Sequence, residues 1–213
     1  MVDTSIIATA ADYADAMLTA RRAKKWLFLI LLLLLLMQLA VFLLYRTDVI
    51  KLGPSAAGAG RAIATAPTTI PATSNTIELL LIYLIGLSDF LGVVLVIVLA
   101  LVLLLVTNIM LVGRLIGVSR ITSAYIWTLL LIVLLFPWQA FLRPMDFKIP
   151  GVLYTWDELV ATGHWTATRW TQDMVKWTRF VAFPVIAIIM LCVIQVKSSR
   201  GIRQALGEAD TSV

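Results

Sequence analysis

Four apolar stretches decide what this chain can fold into. The first, Trp26 to Tyr45, reads WLFLILLLLLLMQLAVFLLY without a charged side chain, and about twenty such residues cross the hydrocarbon core of a bilayer as an α-helix. The others run over 90–113, 123–142 and 180–196. In lipid, backbone N–H and C=O groups must find partners within the protein, which leaves helices or a closed barrel. Leu-rich runs that do not alternate exclude barrel strands. The expected fold is therefore all-α: a polytopic membrane protein with four transmembrane helices.

Composition narrows the chemistry. Hydrophobic residues make up 61% and charged residues 14% of the chain, against roughly a quarter charged in soluble domains. Cys192 is the single cysteine and His164 the single histidine, so this chain alone forms no disulfide, no cysteine metal cluster and no bis-histidine haem site. No cofactor is expected. The paired outer-loop cysteines of claudin-like and tetraspanin-like proteins are missing as well. The net charge of +5 is concentrated beside membrane ends, the pattern of cytoplasmic anchoring and not of nucleic-acid binding.

Basic residues also orient the chain. Arg21, Arg22, Lys24 and Lys25 directly precede the first span, so the amino terminus is expected in the cytoplasm. Four crossings return the carboxyl terminus there, beside Lys197, Arg200 and Arg203, which suits a plasma membrane or bacterial inner membrane. Inner segments hold nine Lys/Arg and longer outer segments eight of the chain's 17. With about 25 residues before its apolar core, the first stretch is expected to be a retained helix, not a cleaved signal.

The segments divide as follows. Residues 1–25 hold an amphipathic cytoplasmic helix, with Ile6, Ala10, Tyr13 and Met17 at helical spacing, and the basic cluster. The first span is 26–45. Residues 46–76, rich in Ala, Gly, Pro, Ser and Thr, read as a flexible outer loop. Residues 77–89 are either an interfacial segment or a helix extension, because the apolar pattern from Ile77 to Gly113 is too long for one crossing. Ser88 and Asp89 suit a helix cap that starts the second span at 90. An inner turn at 114–122 leads to the third span, 123–142. Residues 143–179 form a Trp-rich outer loop with short interfacial helices, begun by the Thr155/Glu158 capping box. The fourth span, 180–196, leads into a tail at 197–213.

Candidate sites follow from residue type. Asp89 is an acid lodged in an apolar run; with Gln38 and Asn108 it is a candidate intramembrane polar group. At the interface it caps a helix, whereas one or two turns deeper it binds a cation or carries a proton. Gly113 with Gly117, and Ser88 with Gly92, have the spacing that lets helices approach closely. Trp26, Trp127, Trp138, Trp156, Trp170 and Trp177 suit the headgroup region. Arg114 and Arg120 suit lipid phosphate or an acidic partner. Pro137 and Pro184 are candidate kinks.

No nucleophile–base pair, carboxylate dyad or metal-ligand set stands out, so an enzyme is not expected. The leading expectation is a non-catalytic scaffold, anchor or accessory subunit, whose partners are the bilayer and other membrane subunits or further copies of itself. The alternative is a small oligomeric channel or transporter built on Asp89 and the intramembrane amides.

Overall fold

The computed structural model describes residues 4–47, 72–136, 138, 151–154, 159, 174 and 176–207. Four long helices organise them: α1 (Thr4–Arg46), α2 (Ala72–Val112), α3 (Val118–Leu135) and α4 (Phe183–Ala205), the last preceded by a π-helical turn, Thr178–Ala182. All four are long and apolar enough to cross a membrane, and the chain is a multi-pass membrane protein. Each helix packs on its chain neighbours, and α1 closes the ring against α4. Contacts run antiparallel: Met17 of α1 shares a cluster with Met110 of α2, whereas Gln38 meets Ser88.

A heptad seam on α1 holds the ring. Met17, Lys24, Leu31 and Gln38, seven residues apart, are each 1% exposed, and Leu35 and Phe42 lie buried beside them. A seven-residue apolar repeat keeps one helix face turned toward its partners. Leu29, Leu33, Leu36 and Leu43 stand exposed, as befits a helix whose other faces meet lipid. Lys24 and Gln38 are the two polar residues on this seam.

Several expected boundaries move, each for a local reason. The amphipathic segment and the first span are one continuous helix of 43 residues. No Gly or Pro lies between Thr4 and Arg46, and the RRAKK cluster is made of good helix formers. α2 begins at Ala72, inside the expected loop, and runs unbroken through Ser88 and Asp89 for 41 residues. Neither residue caps it: Ser88 Oγ donates back to the Ile85 carbonyl of the preceding turn, and the Asp89 carboxylate accepts from Gln38 of α1. Of the two readings of 77–89, the described helix is the extension.

The expected third span starts earlier, at Val118, and stops at Leu135 instead of reaching 142. Phe136 is extended (φ −65°, ψ 134°), as the residue before a proline prefers. The carbonyls freed at this end are taken up locally. Trp138 Nε1 donates to Val133 O at 2.8 Å, and Val152 N donates to Leu134 O at 3.2 Å, satisfying acceptors that a helix end leaves open.

That second bond brings 151–154 into the bundle. All four residues are buried, and Val152 and Leu153 join the cluster of Leu35, Leu99, Leu135 and Leu191. Tyr154 stacks edge-on against Phe180 with ring centroids 5.2 Å apart. Non-helical backbone is tolerated at membrane depth only where protein covers it, and here α1, α2 and α4 do so. This part of the expected outer loop is core.

At the fourth span, Phe183 N–H reaches back to Thr178 O, an i→i+5 bond next to Pro184. Proline has no N–H and its ring crowds the preceding turn, and a π-turn gives it room. α4 then continues to Ala205, so the first nine residues of the expected tail are helical.

Candidate functional site

Two polar ties join the helices at different levels. In the half of the bundle away from Lys24 and Arg120, Gln38 Nε2 donates to Ser88 Oγ at 3.2 Å and to Asp89 Oδ1. Tyr154 OH donates to the Gln38 backbone carbonyl, and Arg179, 8% exposed, donates from a terminal nitrogen to Leu153 O at 3.4 Å. α1, α2, the inserted segment and the π-turn thus meet at one point. Gln38 Oε1 is buried with no hydrogen-bond partner among the described residues.

Depth gives Asp89 its meaning. Gln38 lies seven residues from Tyr45 at the end of the apolar stretch, or roughly 10 Å at 1.5 Å per residue. Asp89, bonded to Gln38, shares that level. It stands within α2 and not at a helix start.

At the basic end the second tie crosses from α1 to α4. Lys24 Nζ donates to Ser198 Oγ at 2.8 Å and to Ser199 Oγ at 3.0 Å, and Ser198 Oγ in turn donates to Ile194 O at 2.6 Å. Lys197 donates to Ser123 Oγ of α3 at 2.9 Å, with its ammonium 5.5 Å from the centroid of Trp127.

The remaining candidates separate. Asn108 is exposed on α2, 19 residues and about 28 Å along the helix from Asp89, so these polar groups do not converge. Gly113 and Gly117 are not a helix-contact face, because both fall in the turn between α2 and α3. Gly117 has φ +100°, a left-handed conformation that suits glycine. From that turn Gly117 approaches α4 closely: a Cβ on it would stand 3.0 Å from Gly201 O, and one on Gly201 would stand 2.5 Å from Ile121 Cγ1. Ser88 and Gly92 are both buried in α2, the first bonded to Gln38 and the second facing Leu153.

Among the aromatic candidates, Trp26 is 68% exposed at the start of the apolar stretch. Trp127 lies halfway along α3 against the core, Trp138 closes that helix's end, and Trp177 is 41% exposed before the π-turn. Trp156, Trp170 and His164 lie outside the described residues. Arg114 and Arg120 are exposed at the basic end, Arg114 with φ 48° in the turn.

Sequence reasoning overlooked Lys24, Tyr154, Arg179 and Ser198. Lys24 carried a readable signal, since it stands 14 residues, two heptads, from Gln38. No protein-family model, curated protein or solved structure matches this chain.

Proposed function

We propose that this protein is a non-catalytic scaffold or accessory subunit of a membrane complex, with α1 presenting the contact surface beyond the bundle. The observation that carries the reading is the continuity of α1. Its seam seats Met17 and Ala20 against Val106, Met110, Ile121 and Ile202, while residues 12–16 on the same rigid helix are exposed. Asp12, Tyr13 and Asp15 give this tip an acidic and aromatic surface suited to a basic partner or to a second copy. The positive-inside rule assigns the basic end, and both termini with it, to the cytoplasm of a plasma membrane or bacterial inner membrane.

A photo-crosslinking residue at position 13, with Leu33 as the lipid-facing control, tests the reading in native membranes. Position 13 is expected to yield a protein adduct, of twofold mass for a homo-oligomer, and position 33 lipid alone. No adduct from position 13, together with a clean monomer in mild detergent, would defeat the proposal. The Gln38–Asp89 contact favours a second reading, a small oligomeric channel or transporter. Cation or proton flux in proteoliposomes that is equal for wild type and Asp89→Asn removes it.

A further inference from the structure

An apolar groove of about 420 Å³ runs between α3 and α4, lined by residues including Trp127, Leu130, Val133, Trp138, Ile186 and Met190. Its α3 wall is one helical stripe, since Trp127, Leu130 and Leu134 recur at three- and four-residue spacing. Continued toward the basic end, that stripe passes through Ser123 and Arg120. The α4 wall, Ile186 and Met190, continues at the same spacing to Lys197 and Arg200. The groove therefore opens at one end onto fixed positive charge. Lys197 is held there by the Ser123 hydroxyl and the Trp127 face.

We propose that this seam binds one anionic phospholipid from the leaflet at the basic end, its phosphate at Lys197 and an acyl chain in the groove. The dimensions agree. Measured along α3 from Ser123, Trp127 lies about 6 Å and Val133 about 15 Å away, so the wall from Trp127 to Val133 falls within one leaflet, half of a roughly 30 Å hydrocarbon core. Charge complementarity selects the headgroup, because the cation stands at the groove's mouth and the walls beyond it are apolar. General anchoring of basic residues at an anionic surface would treat Lys197 and Arg203 alike; the groove does not. Arg203 lies about 120° around α4 from Lys197 at 100° per residue.

Native mass spectrometry of the detergent-purified protein, titrated with phosphatidylglycerol and with phosphatidylcholine of the same chains, tests this assignment. Phosphatidylglycerol is expected to bind preferentially, and Lys197→Gln to weaken it about fivefold, the effect of one basic residue at a lipid surface. Arg203→Gln removes the same charge and is expected to leave the affinity within about twofold. Val133→Trp fills the groove with every charge in place and is expected to abolish the preference, so it carries the test if Lys197→Gln fails to fold. Equal binding of the two lipids, equal losses from Lys197→Gln and Arg203→Gln, or an unaffected Val133→Trp would each overturn the proposal. Displacement of the lipid by millimolar inorganic phosphate would also overturn it, by reducing the site to the headgroup alone.

Discussion

Lys24 and Gln38 occupy equivalent positions on the α1 seam, two heptads apart, and the bundle satisfies them in opposite ways. Near the basic end the α1 residue carries the charge, and two neutral hydroxyls of α4 receive it. Roughly 21 Å farther along the helix the α1 residue is neutral, and the charge comes from Asp89 of α2. The energetic stakes differ accordingly. Lys24 stands beside the stretch where headgroups begin, and Ser198 keeps backbone partners of its own. Asp89 lies about two turns inside the apolar run, where losing a partner leaves a carboxylate with little water to replace it.

That contrast breaks most sharply at Gln38. Gln38→Leu removes the amide from Asp89 and is expected to destabilise the protein by about 2 kcal/mol, the range for losing a hydrogen bond to a charged group. Gln38→Leu combined with Asp89→Leu is expected to recover most of the loss. Thermal unfolding in one detergent compares the two, and a double variant no better than the single one would show that the tie is not what stabilises this level.

Packing, not polarity, governs the next effect. Gly201→Ala places a methyl group against Ile121, and overpacking of this kind costs about 2 kcal/mol. An unchanged midpoint in the same unfolding experiment would mean that α3 and α4 separate freely at the basic end.

The smallest effect is expected at Lys24. Lys24→Met replaces a buried cation with an apolar side chain of similar length and is predicted to be neutral within about 0.5 kcal/mol. A loss as large as that of Gln38→Leu would erase the distinction between the two ties.

These differences follow what the sequence exposes. The four helices are legible because twenty apolar residues have few structural alternatives in lipid. Gln38 and Asp89 are legible as polar residues in apolar runs, although their mutual contact joins positions 51 residues apart and no local pattern announces it. Lys24 is hidden inside a basic cluster whose obvious role is anchoring; only its heptad spacing from Gln38 sets it apart. The insertion of 151–154 is harder still to read, because Gly-Val-Leu-Tyr looks like any loop until Pro137 has shortened α3 and left a gap to fill. The apparent GxxxG misleads for a related reason: spacing marks a contact face only inside a helix, and Gly117 begins one.

The unbroken course of α1 makes it a lever. From Met17, which is seated against the bundle, about 20 Å of the same helix runs on to Thr4 at 1.5 Å per residue. Transmembrane helices change tilt when bilayer thickness changes, and a rod without a hinge carries that change to its tip. A rotation of about 10° sweeps the far end through roughly 3 Å, enough to make or break a side-chain contact with whatever it touches.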